Sequence, residues 1–221
     1  MTADPEIARE ILDALWGYYG DLNWWPAQTP YEVIIGAILT QNTAWRNVEL
    51  ALDRLKGRMT PEAILSLSIP ELEDAIRPAG FYHQKAQYLL TVTRWFAAHQ
   101  KRSPEGSERS LKKLREELLS LRGVGPETAD TILLYALEKP SFVVDAYTKR
   151  LTLRFPLLPA ASYTALKEYF EKSLPREVSL YNQFHALIVV HAKTHCKVKP
   201  LCRGCPLERR CEKRLTPQSP K

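Results

Sequence analysis

Cysteine is absent from the first 195 residues of this 221-residue chain, and the sequence also lacks segments that enter or cross membranes. No uncharged apolar run is long enough to span a bilayer. The N-terminus has no basic start followed by an apolar run, so it does not form a signal peptide. We therefore expect a cytoplasmic protein with no membrane partner, a setting in which disulfides are rare.

The four cysteines that the chain does contain lie within sixteen residues, with the spacing C-x5-C-x2-C-x5-C. They are Cys196, Cys202, Cys205 and Cys211. Clustered thiolates without a disulfide-forming context favour a metal or iron–sulfur site. A zinc ion held by four thiolates is the competing assignment.

Positive charge is concentrated around these cysteines. The formal net charge is +6, and the segment 193–214 holds eight Lys or Arg residues against Glu208 and Glu212. Such a surface suits the phosphate backbone of a nucleic acid. The alternative is a solvated basic tail that binds nothing.

Apolar residues recur at helical spacing along almost the whole chain, without an alternating strand, an internal repeat or a long linker. Thr29-Pro30 and Thr60-Pro61 each offer an N-cap followed by proline at the first helical position. The sequence therefore predicts an all-α fold. After a first helix near the N-terminus, the predicted helices are 30–42, 45–57, 61–67, 70–76, 83–99, 110–121, 126–137, 145–153, 162–173 and 178–195.

The segment 121–130, LRGVGPETAD, lies between two of these helices. Gly123 and Gly125 permit unusual backbone angles and remove Cβ atoms that would block a ligand. The amides of Gly123, Val124 and Gly125 precede a helix N-terminus, which attracts anions. This pattern predicts a helix–hairpin–helix element that grips one DNA backbone without reading sequence. A tight turn that binds nothing is the alternative.

A single carboxylate, Asp145, follows the apolar run Phe142-Val143-Val144 at the start of a predicted helix. One interpretation is a simple N-cap. The other is a functional carboxylate that the helix dipole keeps ionised, facing a developing positive charge.

Two further segments complete a recognisable set. Residues 39–43, LTQNT, resemble the motif L-S-x-Q-x-T, and residues 80–86, GFYHQKA, resemble G-x-Y-x-x-K-A. Together with the hairpin, the Val-Val-Asp sequence and the four cysteines, they make residues 22–211 resemble the endonuclease III superfamily of helix–hairpin–helix, iron–sulfur DNA glycosylases.

The resemblance implies an architecture of two domains with a cleft between them. A six-helix barrel domain with the hairpin would cover 22–137, and a discontinuous helical iron–sulfur domain would combine 1–21 with 138–221, its cluster loop at 196–211. The partner would be double-stranded DNA, from which a damaged nucleotide is flipped out because its glycosidic bond is unreachable in the stack. The resemblance also implies a monomer near the nucleoid of a bacterium or archaeon.

The resemblance assigns roles to individual residues. Asp145 would stabilise the oxocarbenium-like sugar or orient the attacking water. Gln41 would fill the hole left in the duplex, and Phe81, with His83, would wedge into the opposite strand, although a surface-packed aromatic is an equal alternative for Phe81. The remaining contacts with phosphate would come from Gly123, Val124, Gly125, Lys197, Lys199 and Arg203, and a monovalent or divalent cation could bridge the hairpin to DNA.

The four cysteines would ligate a [4Fe-4S] cluster that positions DNA rather than catalysing the reaction. The family's usual spacing is C-x6-C-x2-C-x5-C, so the first gap is one residue shorter here. A loop absorbs one deletion, and the later spacings match.

Bifunctional members of the family carry a lysine two positions after the second hairpin glycine, and its amine forms a Schiff base with the sugar. This chain has Glu127 at that position. A carboxylate forms no Schiff base, so the sequence predicts a monofunctional glycosylase without efficient lyase activity.

Tryptophans surround the segment expected to form the base pocket, namely Trp24 and Trp25 before Pro26, and Trp45. With residues 77–86 and Glu127, this segment is similar to 3-methyladenine DNA glycosylase III. Flat indole faces favour cationic bases by about 1–3 kcal/mol per contact, so the resemblance favours an alkylated purine such as 3-methyladenine. Barrel core is the alternative for the tryptophans.

Two other functions remain open from the sequence. One is removal of an oxidised, deaminated or mismatched base, and the other is a non-catalytic, damage-sensing DNA-binding protein. The chain ends ten residues after Cys211, which disfavours an adenine-mismatch enzyme with an extra recognition domain.

Overall fold

The computed structural model describes residues 4–22, 27–101, 110–155 and 161–212. All regular structure within these ranges is helical, which confirms the predicted all-α class. A 3₁₀ turn covers Arg77–Ala79, and a π-helical turn covers Ile132–Ala136. The α-helices are α1 (Pro5–Tyr19), α2 (Pro30–Leu39), α3 (Trp45–Leu55), α4 (Pro61–Ser66), α5 (Ile69–Ile76), α6 (Tyr82–Gln100), α7 (Leu111–Ser120), α8 (Pro126–Thr131), α9 (Ala146–Arg154), α10 (Tyr163–Ser173) and α11 (Val178–Thr194).

Side-chain caps explain where several helices begin. The Thr29 hydroxyl accepts a hydrogen bond from the backbone N–H of Glu32, and proline follows Thr29 at the first helical position. Thr60 caps α4 in the same way. These two contacts confirm the predicted Thr-Pro starts, because each threonine satisfies a backbone donor that the helix leaves open.

The predicted helix over 126–137 is not one continuous α-helix. Its second half is the π-helical turn, in which the N–H of Leu137 donates to the carbonyl oxygen of Ile132 at 3.0 Å. The apolar pattern predicted burial correctly, but burial in this core accommodates a widened turn that periodicity does not distinguish from an α-helix. Among the described helices, none is long and apolar enough to cross a bilayer.

The chain divides into two compact units, Trp25–Lys139 and the combination of Met1–Trp24 with Pro140–Lys221. In the first unit, α2 is the central helix, and it contacts α3, α6, α8 and the π-helical turn. Its residues Val33, Ile34, Ile35, Ile38 and Leu39 are all buried. A short helix that is apolar on every side requires neighbours all round, which explains its central place.

In the second unit, α1 packs on α10 and α11, and α9 packs on α11. Its core contains an aromatic cluster in which the rings of Phe142 and Phe170 stack at 4.5 Å between centroids. Phe184 meets both rings edge-on. The cluster buries the segment that leads to Asp145, and so fixes where α9 begins.

Candidate catalytic carboxylate, DNA-contacting segments and metal centre

The two hairpin glycines, Gly123 and Gly125, differ in backbone angle and in the space around them. Gly123 has φ +89°, and a Cβ atom there would lie 2.1 Å from Cγ of Tyr88, so both backbone and packing require glycine. Gly125 has an ordinary φ of −88° and open space where a Cβ would be. The sequence interpretation that both glycines free unusual angles is therefore wrong for Gly125, whose missing side chain instead leaves its surface open.

The hairpin amides also differ from the expectation. The N–H of Val124 donates to the carbonyl oxygen of Leu121 at 3.1 Å, which closes the turn, and its side chain is buried. The amide of Val124 is therefore engaged within the protein and does not face a ligand as predicted. Gly125 is the N-cap of α8, with Pro126 at the first helical position.

Gln41 joins the loop after α2 to the hairpin. Its Nε2 donates to the carbonyl oxygen of Gly123 at 2.9 Å and lies 3.0 Å from the hydroxyl of Thr128. These contacts consume both amide donors and leave Oε1 as the remaining polar atom of the side chain. The structure thus brings together two of the sequence-predicted DNA-contacting segments.

Phe81 stands out from the surface at the start of α6. Its side chain is 66% exposed, and its φ of +47° lies in the left-handed region. Such an angle is costly for a bulky residue, so the surrounding structure must impose it. The high exposure argues against the surface-packed alternative. His83, also exposed, has its Nδ1 2.8 Å from Oε2 of Glu73.

Lys85 is a site residue whose role the sequence did not reveal. Its side chain is buried, and Nζ donates to the carbonyl oxygens of Leu39 and Ala79, both at 2.8 Å. Burial lowers the pKa of Lys85 to about 8. The only sequence signal was a lysine one helical turn after Phe81 within the family motif.

Asp145 is both the N-cap of α9 and a shielded carboxylate. Its Oδ1 accepts hydrogen bonds from the N–H of Thr148 at 2.7 Å and from the Thr148 hydroxyl at 2.9 Å. Its Oδ2 lies 3.6 Å from Nε2 of His185, a buried residue of α11 that the sequence did not single out. Asp145 can therefore be both an N-cap and a functional carboxylate, because the cap uses Oδ1 and leaves Oδ2 beside His185.

The environment of Asp145 favours its ionised form. Burial alone would raise the pKa of Asp145, but the contacts with His185 and Thr148 outweigh it and hold the pKa below its usual range. The preceding segment is secured by Glu171, whose Oε1 accepts the N–H of Phe142 at 2.9 Å and pairs with Lys167. A carboxylate held in this way can face positive charge at neutral pH.

The four cysteines line one cavity together with Leu151, Arg154, His191 and His195. All four are free thiols. Among the described residues, no group of three or more His, Cys, Asp or Glu side chains is arranged to hold one metal ion. Burial raises the pKa of the Cys205 thiol, and the neighbouring cysteines raise it further.

Arg154 connects α9 to the cysteine loop. Its Nη1 lies 3.2 Å from Sγ of Cys196 and donates to the carbonyl oxygen of Lys197, while Nη2 donates to that of Val198. Sγ of Cys211 contacts the Arg154 carbonyl oxygen at 3.3 Å. Within the described chain, the buried Nε of Arg154 has no hydrogen-bond partner. Arg154 also lines the cavity that the four cysteines line.

The remaining predicted residues fall in four groups. Lys197, Lys199 and Arg203 are exposed on the cysteine loop. Trp45 is half-buried and donates its indole N–H to Glu49. Glu127 is exposed in the first turn of α8. Trp24, Trp25 and Pro26 lie outside the described residues.

Comparison with known proteins identifies the family. Residues 35–176 match the model of the HhH-GPD superfamily base excision DNA repair proteins. A provisionally named DNA repair glycosylase of Methanocaldococcus jannaschii is 48% identical over 211 residues, which covers 93% of this chain and 96% of that protein. The chain therefore belongs to the HhH-GPD superfamily.

Two solved structures resemble the fold. The 3-methyladenine DNA glycosylase of H. pylori bound to 1,N6-ethenoadenine is 28% identical, with a TM-score of 0.70 over 84% of this chain and 97% of that one. A non-covalent endonuclease III–DNA complex is 23% identical, with a TM-score of 0.80 over 95% of this chain and 96% of that one. The protein is a DNA glycosylase of base excision repair, as the sequence predicted at this level.

Proposed function

We propose that this DNA glycosylase is monofunctional and removes alkylated purines, with Asp145 as its catalytic carboxylate. The observation that carries the proposal is the shielded position of the Asp145 carboxylate between Thr148 and His185, whose contacts hold its pKa below the usual range. A negative charge at this place stabilises positive charge on a sugar without needing a proton.

The reaction follows from the chemistry of the substrate. Alkylation at N3 or N7 makes the purine cationic, so the C1′–N bond breaks with its electron pair leaving on a neutral base. Asp145 faces the resulting positive sugar, and water adds at C1′ and releases a proton. Because the leaving base needs no protonation, one carboxylate and an aromatic slot suffice. We assign the slot to Trp24, Trp25, Pro26 and Trp45, from the sequence.

The lysine position supports the absence of lyase chemistry. Glu127 is exposed at the start of α8, where a bifunctional relative would present an amine. A carboxylate there provides no nucleophilic nitrogen for a Schiff base. The product is therefore an intact strand with an abasic site.

DNA contacts come from two regions. We assign Gln41, Phe81 and His83 to duplex opening, and the hairpin, Lys197, Lys199 and Arg203 to phosphate. The high exposure of Phe81 and its imposed backbone angle support a wedge. The open surface over Gly125 supports a close backbone approach.

The cysteines fit a [4Fe-4S] cluster better than zinc. The C-x2-C-x5-C spacing of the last three cysteines matches the cluster spacing of the family that the sequence resembles, and zinc held by four thiolates is the alternative. A four-iron cluster is wider, so its cysteines surround a cavity, as they do here. The cluster would fix the loop that carries Lys197. The buried Nε of Arg154, which has no hydrogen-bond partner among the described residues, suits an anionic sulfide cluster.

An excision assay tests the proposal. Duplexes carrying 3-methyladenine, 7-methylguanine, 1,N6-ethenoadenine, 8-oxoguanine, thymine glycol, uracil and a G·T mismatch are incubated with the enzyme and read with and without alkali. We expect strand breaks only after alkali, and release of the alkylated purines. Release of an oxidised, deaminated or mismatched base instead would reject the substrate assignment, and binding without release would identify a damage sensor.

A further inference from the structure

Lys85 is a buried cation that the proposed chemistry does not use. Its side chain is 2% exposed, and within the described residues it makes no ion pair. Burying an ammonium group is costly unless strong acceptors compensate. Its acceptors are two backbone carbonyl oxygens, those of Leu39 and Ala79, at equal distances of 2.8 Å.

These two carbonyls lie at equivalent places in two different segments. Leu39 is the last residue of α2, two positions before Gln41, and Ala79 ends the 3₁₀ turn, two positions before Phe81. One nitrogen therefore holds together the bases of the two loops that carry the duplex-opening side chains.

Both loops contain a non-glycine residue with a positive φ within three positions of the carbonyl that Lys85 binds. Asn42 has φ +52° and Phe81 has φ +47°, and neither is a glycine. Asparagine adopts this angle readily, whereas a bulky residue such as Phe81 holds it only when the surrounding structure restrains it. Gln41 also donates to the carbonyl oxygen of Gly123, so the two loops and the hairpin form one hydrogen-bonded unit.

We propose that Lys85 is a positioning residue that fixes the separation of Gln41 and Phe81, so that both side chains enter a distorted duplex at one site. This inference rests on the proposed roles of Gln41 and Phe81. A neutral residue of similar length would leave two buried carbonyls unsatisfied and free the loops to move apart. Recognition of a distorted duplex would then weaken more than binding to an ordinary one.

The experiment compares the full-length wild-type protein with Lys85→Met. Affinity is measured for an undamaged duplex and for one with a tetrahydrofuran abasic analogue, with 2-aminopurine opposite the analogue to report unstacking. We expect the preference for the abasic duplex to fall about tenfold, and the 2-aminopurine signal to be lost. Affinity for the undamaged duplex should stay within about twofold, because the hairpin and the basic loop supply it.

Two variants separate positioning from general destabilisation. Tyr31→Phe removes another buried hydrogen bond of the same unit, that to Thr93, and should leave the preference unchanged. Lys85→Gln keeps an NH₂ donor and should recover part of the preference. If Lys85→Met does not fold, Lys85→Gln is compared with Tyr31→Phe in its place, and an intermediate loss of preference is expected.

A double-mutant cycle with Phe81→Ala supplies the decisive readout. If Lys85 acts through Phe81, the double variant should discriminate no worse than Phe81→Ala alone. Additive losses, or a Lys85 variant that discriminates as well as Tyr31→Phe, would overturn the proposal. Failure of the proposed function is a separate outcome. In that case neither the wild type nor any variant releases an alkylated purine, while the preference for the abasic duplex, which is measured by binding alone, is unaffected.

Discussion

Oδ2 of Asp145 lies 3.6 Å from Nε2 of His185, while Oδ1 of the same carboxylate caps α9. The division of labour between the two oxygens lets one side chain serve structure and chemistry together. It also makes the two roles separable, because an amide keeps an oxygen for the cap but loses the charge.

Replacing Asp145 with asparagine should therefore abolish excision while preserving the fold. We expect single-turnover excision to fall by about a thousandfold or more, because the charge that faces the sugar is lost. The free energy of unfolding should change by no more than about 1 kcal/mol, since asparagine also caps helices. Chemical denaturation and duplex affinity provide the controls. Unchanged excision would identify Asp145 as a cap alone.

The pH dependence of excision should respond to His185. The pKa of Asp145 is held below its usual range, so its stabilising contribution is complete at neutral pH and is lost as the pH falls through the folded-state pKa. His185→Gln removes a contact that lowers the pKa of Asp145, whereas burial continues to raise it. The pKa of Asp145 should therefore rise, and the acid limb of the excision-rate profile should move to higher pH. Thr148→Val removes only one hydrogen bond and should move it less. If the acid limb stays at the same pH in both variants, His185 and Thr148 do not set the pKa of Asp145.

Glu127→Lys should introduce measurable lyase activity. The exposed position at the start of α8 would then carry an amine that can form a Schiff base with the sugar. Borohydride should trap this variant on DNA and leave the wild type and Glu127→Gln untrapped. Strong trapping of the wild-type protein would show that another amine performs this chemistry and that the enzyme is bifunctional.

The two hairpin glycines should give opposite results when changed to alanine. Gly123→Ala should lower the free energy of unfolding by about 1–3 kcal/mol, because the backbone angle and the ring of Tyr88 both reject a side chain. Gly125→Ala should fold normally and bind undamaged duplex about tenfold more weakly, because its methyl group occupies the open surface. Adding Tyr88→Ala should recover part of the unfolding free energy that Gly123→Ala loses. It should not recover the DNA affinity that Gly125→Ala loses.

Substitutions at Arg154 and Lys197 should distinguish the stability of the cysteine loop from its contact with DNA. Arg154→Leu leaves the carbonyls of Lys197 and Val198 without their donor, so the iron and sulfide content per chain and the melting temperature should both fall. Lys197→Ala removes an exposed charge. It should leave the iron and sulfide content and the melting temperature unchanged, and it should weaken DNA binding in a salt-dependent way. Visible absorbance and metal analysis measure the first effect. A colourless wild type with one zinc per chain would reject the cluster.

The sequence alone determined the helical class, two Thr-Pro helix starts and the superfamily. These features depend on local spacing: apolar periodicity, a cap followed by proline, and motifs with fixed gaps. Local spacing could not distinguish the π-helical turn at Ile132–Ala136 from an α-helix, because both bury the same apolar residues. It also gave Gly123 and Gly125 one role, although only one of them has a positive φ.

Only the tertiary structure decided which distant groups meet. Lys85 binds the carbonyl of Leu39, His185 faces Asp145, and Arg154 reaches the loop of Cys196. Each contact joins segments far apart in the chain, and packing of helices, not sequence spacing, brings them within hydrogen-bonding or ion-pairing distance. A buried cation, a shielded carboxylate and a guanidinium nitrogen close to a cysteine sulfur are therefore properties of the fold, because each depends on which polar atoms the neighbouring helices supply.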